Sequence, residues 1–317
     1  MKFFTFILLA CIAAAASAQN YPSKPIRVIV NSAPGGLTDV IGRLVTGIMG
    51  QSMGQPMVVD NRTGAGGLVG AELVTKADPD GYTIGVVASA ITVAPQLMPA
   101  PPFDAAKDYA PVALLMSTPL TLVANVNSSY ASVAQLVADA KARPGQISIA
   151  SGGNATMTHL LAEQLQSQAG IQLVHVPYKG GAPALNDVVA GHVPVMFDTL
   201  NTNVRLVQEN KLRALAIASP QRSPALPQVP TLAEAGYPDV QGMAWFAIVA
   251  PAQVRPEIVA RLNDEANKAL NTPAIAERIR TLGGTVEGGP PSVLAERIRG
   301  EVSRWGKLIR ERGIKAQ

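Results

Sequence analysis

Short β-branched runs that alternate with amphipathic helical stripes leave this chain few architectures to adopt. Ile26-Arg27-Val28-Ile29-Val30 has the length and composition of a strand. After the loop Asn31 to Gly36, the residues Leu37, Val40, Ile41, Leu44, Val45 and Ile48 recur at helical spacing and make one apolar stripe. Met57 to Val59 reads as a second strand and Gly67 to Lys76 as a helix, ended by the turn Asp78-Pro79-Asp80-Gly81. Tyr82 to Ala88 reads as a third strand. This β-α-β-α-β order is the signature of a doubly wound parallel sheet. The same grammar restarts with a helix over Ser132 to Arg143, a strand at Ile147 to Ala150 and a stripe of Met157, Leu160, Leu161 and Leu165. A strand at Gln172 to Val176, a helix at Pro183 to Ala190, and strands at Val193 to Phe197 and Arg213 to Ala218 follow. Beyond a Pro-rich stretch, Trp245 to Ala250 reads as a buried strand, and helices over Pro256 to Leu270 and Pro291 to Arg312 end the chain.

At 317 residues two domains are the natural expectation. With 15% charged and 4% aromatic residues, the chain has the Ala-, Val- and Leu-rich composition of parallel sheets covered on both faces. The fold class is therefore α/β: two doubly wound lobes joined by crossing strands. Crossings near Leu120 to Asn125 and Gly242 to Val249 divide the chain into one lobe of residues 19–123 plus 242–317 and another of 124–241. A lobe built from two separated segments requires at least two connecting strands, which is a hinge geometry.

The first residues read as an address. Lys2, the apolar run Phe3 to Ala16 and the small-x-small site Ala16-Ser17-Ala18 have the layout of an export signal, cleaved after Ala18, so residues 1–18 are set apart from the fold. A lipoprotein signal ending at Cys11 is the alternative. Cys11 is the only cysteine, so a mature chain lacks disulfides, thiolate metal ligands and a cysteine nucleophile. Losing Lys2 lowers the formal charge from +4 to +3, a mild excess. The densest basic stretch, Arg297 to Lys315, is interleaved with Glu301 and Glu311 and with Trp305, Leu308 and Ile309, which is a solvated helix face rather than a nucleic-acid site.

In open parallel sheets ligands bind outside the carboxyl ends of the strands. That rule selects the loop Asn31-Ser32-Ala33-Pro34-Gly35-Gly36-Leu37-Thr38-Asp39. Its glycines permit close approach, and the following helix aims free N–H groups and its positive end at the same spot. A tight turn capped by Thr38 or Asp39 is the plain alternative. The loop Ser151-Gly152-Gly153-Asn154-Ala155-Thr156 repeats the device. Ser89, after the third strand, and Asp198, at the end of the Val193 strand, are further candidates; Asp198 could instead cap the next helix. Arg62 could reach a ligand carboxylate or pair with Asp60. Neither GxGxxG nor GxxxxGK[ST] is present, and His159, His175 and His192 have no metal-ligand spacing. No GxSxG elbow occurs either, so no catalytic set, metal site or cofactor is expected.

These loops carry a resemblance. Tyr21-Pro22-Ser23-Lys24-Pro25-Ile26-Arg27, Ala33-Pro34-Gly35-Gly36 with Asp39, Val58-Val59-Asp60-Asn61-Arg62 with Gly64 to Gly67, and Asp78-Pro79-Asp80-Gly81-Tyr82 occur in order. His175-Val176-Pro177-Tyr178-Lys179-Gly180-Gly181-Ala182-Pro183, Met196-Phe197-Asp198, Arg222 to Pro227 and Val229-Pro230-Thr231 complete the set. The chain thereby resembles, from Tyr21 to about Gly313, the Bug family of extracytoplasmic solute receptors, also known as TctC-like proteins of tripartite tricarboxylate transport systems. The resemblance implies a Venus-flytrap fold of the periplasmic-binding-protein type, with a small organic carboxylate held between the lobes by main chain and water. It maps binding loops onto Ser32 through Asp39 and Ser151 through Thr156, with Ser89 and Asp198 facing the cleft. It also implies a periplasmic location and membrane permease subunits as partners; nothing in the sequence asks for more than a monomer. One departure is Asn31-Ser32, where the family usually carries Pro and an aromatic residue, which makes the wall here smaller and more polar. A sensory binding protein and an enzyme are the other roles open to the same architecture.

Overall fold

The computed structural model describes residues 21–154 and 156–315. The export segment expected at 1–18, with Cys11, lies outside the described residues. Ten strands are present among them: β1 (Ile26–Val30), β2 (Met57–Asn61), β3 (Thr83–Ala88), β4 (Tyr109–Asn125), β5 (Ser148–Ser151), β6 (Val174–Pro177), β7 (Val195–Thr199), β8 (Leu212–Ile217), β9 (Met243–Pro251) and β10 (Thr285–Val286). The helices are α1 (Leu37–Met53), α2 (Leu68–Thr75), α3 (Val133–Ala142), α4 (Met157–Ala169), α5 (Gly181–Ala190), α6 (Leu200–Gln208), α7 (Pro256–Leu270), α8 (Pro273–Thr281) and α9 (Pro291–Arg312). The sheet order is β2-β1-β3-β9-β4-β7-β5-β6, with β8 and β10 also paired to β4.

One strand organises both lobes. The first part of β4, Tyr109 to Pro119, pairs with β9, and its second part, Leu120 to Asn125, pairs with β7 and β8. Only the second part is legible in the sequence, because Pro111 and Pro119 argue against a central strand. Both prolines sit where a ladder bond is not needed: Pro111 beside a register shift, Pro119 where β4 exchanges β9 for β7. Helix α8 leaves too thin an apolar stripe to stand out in the sequence, since it buries only Ile275 and Ile279.

The parallel strands are covered on both faces, as their unbroken apolar runs require. In the first lobe Val28 and Val30 pack with Ile41, Val45 and Met49 of α1, while Ile29 on the opposite face packs with Leu68 and Val74 of α2. In the second lobe Ile149, Val195 and Phe197 pack with Leu160, Leu161 and Leu165 of α4. Helix α9 belongs to both cores: Leu294 and Ile298 join Trp245 of the first, and Trp305 and Ile309 join α4 in the second.

Candidate functional site

Strand direction decides where the loops lie. In the first lobe β1, β2 and β3 are mutually parallel, and β3 is antiparallel to β9, itself antiparallel to β4. These three strands therefore climb in the same sense as β4, and β3 ends with Ala88 opposite Phe246, which faces Met116. In the second lobe β5, β6 and β7 are parallel to one another and run against β4, so β7 ends with Thr199 opposite Leu120. Four residues of β4, about 13 Å at the usual strand rise, separate the two levels. The carboxyl ends of both parallel sets point at the boundary between the lobes.

The first loop leaves β1 there. Ala33, Pro34 and Gly35 are exposed, and Gly35 takes φ +80°, a left-handed value that a side chain resists. Gly36 is the N-cap of α1 with extended backbone and no side-chain bond. Thr38 and Asp39 are therefore inside the first turn rather than capping it. Asp39 is 4% exposed and accepts from the Gly35 N–H at 2.9 Å, Asn61 Nδ2 at 2.8 Å and Arg43 Nε at 2.8 Å. Burial pushes its carboxyl up, but these donors outweigh burial and hold it below the usual carboxylate range. Gly36 N–H is also taken, by Ala33 O at 3.1 Å. In the first turn of α1, the N–H groups of Leu37, Thr38 and Asp39 have no protein acceptor among the described residues. Ser32 is half-buried, its hydroxyl turned back towards Ala33 O.

The second lobe brings three strand ends together. Ser151 closes β5 with its side chain fully buried; Gly152, Gly153, Asn154 and Thr156 are half-buried, and Ala155 lies outside the described residues. Thr156 is the N-cap of α4 and accepts from the His159 N–H at 3.4 Å, the capped turn that is common at such positions. Gly153 takes φ +133°, and its N–H turns to Ser151 Oγ at 3.2 Å. Beside this loop runs Tyr178-Lys179-Gly180-Gly181, from β6 into α5, with Gly180 N–H donating to Gly152 O at 3.0 Å. In the sequence this segment stands out only as a family mark, yet its strand, paired glycines and helix repeat the pattern of the first loop. Asp198 lies one residue before the end of β7. Its Oδ1 is so near Gly181 that a Cβ there would lie 3.6 Å away, and its Oδ2 accepts from the Thr202 hydroxyl. Burial lifts this carboxyl to about 6, with the Thr202 hydroxyl, Thr199 N–H and Asn203 side chain offsetting only part of the cost.

Ser89 is 6% exposed and begins a short 3-10 turn in which the single hydrogen of Thr92 Oγ1 is shared between Ser89 O at 2.8 Å and Glu301 of α9 at 3.0 Å. Arg62 pairs with Asp60 at 2.9 Å and is half exposed. His159 stacks on His175 with ring centroids 3.8 Å apart. Among the described residues no group of acidic, histidine or cysteine side chains has the clustering of a metal site, and no helix is long and apolar enough to cross a membrane.

Comparison with known proteins now gives this architecture relatives. A protein-family model described as the tripartite tricarboxylate transporter family receptor matches residues 41–314. Protein BugT of Bordetella pertussis is 38% identical over 312 residues, covering 98% of this chain and 96% of that one. A Rhodopseudomonas palustris protein solved with adipate superposes with a TM-score of 0.81 at 30% identity, covering 94% of this chain and 100% of the other. MatC from Rhodopseudomonas palustris, solved with bound malate, gives a TM-score of 0.77 at 32% identity over 91% of this chain and 100% of that one. With the family model spanning most of its length and two-lobed binding proteins superposing on its sheet, the chain belongs to the tripartite tricarboxylate transporter receptor family of solute-binding proteins.

Proposed function

We propose that this protein captures a small organic di- or tricarboxylate between its lobes in the periplasm and hands it to a membrane permease, without chemical change to the ligand. One observation carries the reading: the carboxyl ends of both parallel strand sets, with their glycine-bearing loops, open towards each other across a short stretch of β4. The first-turn N–H groups of α1, at Leu37, Thr38 and Asp39, supply donors on one side. On the other stand the loop Ser151 to Thr156, Gly180-Gly181 and Asp198. The two relatives solved with adipate and malate hold ligands of this class. Lobes of 19–123 with 242–317, and of 124–241, then move about β4 and β9. A ligand favours closure only by binding the closed form better than the open one.

A thermal-shift screen of the chain from Gln19 onward against di- and tricarboxylates, acidic amino acids and aromatic acids tests this. A ligand that binds only the native state at a hundredfold excess over its Kd adds about 2.7 kcal/mol of stability and raises Tm by several degrees. The expected result is such a shift with at least one carboxylate and none with its amide. No shift across the panel overturns the reading.

A further inference from the structure

Beneath the second-lobe loop lies a row of side chains that the binding reading does not use. His175 Nε2, on β6, is 2.6 Å from Ser151 Oγ. The His175 ring stacks on His159 of α4 with centroids 3.8 Å apart and planes 4° from parallel. His159 Nε2 is 3.8 Å from Glu163 Oε1, and Glu163 Oε2 is held by Arg312 of α9, 2.9 Å away. The row thus fixes the His175 ring from behind, through a partner anchored on a different element.

The Ser151 hydroxyl sits where its bonds can be counted. It has one hydrogen to give and two lone pairs to receive. Gly153 O is 3.0 Å from Oγ and Gly153 N–H points back to it at 3.2 Å. Donation to Gly153 O and acceptance from Gly153 N–H leave one lone pair, aimed at His175. The histidine must then supply the hydrogen. Burial together with the neighbouring His159 pushes the His175 imidazole down to about 4, so it stays neutral, with one ring nitrogen protonated and the other bare. Ser151 is fully buried, so its hydroxyl acts on the loop and not on the solvent. What it holds is Gly153, whose φ of +133° has no support from a side chain of its own.

We propose that His175, as the Nε2–H tautomer, is a positioning residue for ligand binding, donating to Ser151 Oγ and so fixing the Gly152-Gly153 turn that faces the guest. The inference rests on the carboxylate reading and adds to it a residue that touches no ligand. It is tested with the carboxylate giving the largest thermal shift, by calorimetry on wild type, His175→Ala, His175→Gln, Ser151→Ala and the Ser151→Ala/His175→Ala double variant. His175→Ala is expected to weaken affinity about tenfold, the loss of one hydrogen bond. His175→Gln, whose amide can reach the same oxygen, is expected to restore it to within about threefold. The double variant is expected to bind no worse than Ser151→Ala alone, since each removes the same bond. In the ligand-free wild type, 15N NMR of the His175 ring is expected to show Nε2 protonated and Nδ1 bare between about pH 5 and 8, the range over which the ring is neutral. Additive losses in the double variant, wild-type affinity in His175→Ala, or an Nδ1–H tautomer each overturn the proposal. Should His175→Ala fail to fold, Ser151→Ala and His175→Gln carry the comparison, and equal affinity of Ser151→Ala with wild type is then the overturning result. A wild type that binds no carboxylate overturns the functional reading instead, and the ring tautomer still decides the geometry.

Discussion

Asp198 is an ionisable group whose environment opposes its charge. The folded protein lifts its carboxyl to about 6, because burial costs more than the surrounding donors return. An unfolded chain returns it to about 3.9. Between those values the native state holds a proton that the unfolded state has lost, so the contribution of Asp198 to stability is greatest below about pH 4 and falls as pH rises towards 6. Asp198→Asn is expected to flatten that slope and to raise stability at pH 7 by up to ~3 kcal/mol, since each tenfold change in proton affinity between the two states is worth roughly 1.4 kcal/mol. Urea unfolding at pH values of about 4.5 and 7, on either side of the titration, measures both. An unchanged slope in the variant would mean that other groups in the cleft wall offset the buried carboxyl.

Helix α1 begins with a carboxylate that serves its own loop. Asp39→Ala leaves Gly35 N–H, Asn61 Nδ2 and Arg43 without their acceptor. A loss of about 0.5–1.5 kcal/mol is expected, because the donors are only partly buried or exposed and water can reach them, and little of it comes from the ion pair, since Arg43 is half exposed. Denaturant titration reads it, and a loss below about 0.5 kcal/mol would mean that water replaces the carboxylate at no cost. The strand-loop-helix pattern and the glycine pairs are legible in the sequence because they are local, so Ser32 to Asp39 and Ser151 to Thr156 can be found by reading along the chain. The role of Asp39 is not legible there, because one of its partners is Asn61, 22 residues away at the end of β2. For the same reason β4 reads as a short crossing: its two prolines speak locally against a strand, and only its exchange of partners explains them. Gly180-Gly181 carries the right local signal, but the following Pro183 draws the expected helix start forward, whereas α5 begins at Gly181.

Whether the molecule behaves as one unit depends on α9. Its Glu301 accepts from Trp245 Nε1 at 2.8 Å and Thr92 Oγ1 at 3.0 Å in the first lobe. Three residues on, Arg304 donates to Gln164 of α4 at 2.7 Å, to the Asp239 carbonyl at 3.0 Å and to the Gln241 carbonyl in the second. The guanidinium is half-buried over Trp305, whose indole is almost fully enclosed, and burial lowers its pKa from the usual arginine range. A helix that packs into both cores makes melting of either lobe costly to the other, so a single calorimetric transition is expected for the wild type. Arg304→Ala removes the charge-assisted bonds of one NH2 group, whose two hydrogens three acceptors share, each full bond being worth about 1.5–3 kcal/mol before any relaxation, all on the second-lobe side. The second lobe is then expected to melt first, splitting the endotherm into two. A saturating carboxylate that touches both lobes should draw the two transitions back towards one, because it binds only where both are folded. A variant with one unshifted transition would show that β4 and β9 alone join the lobes, and that α9 merely lies across them.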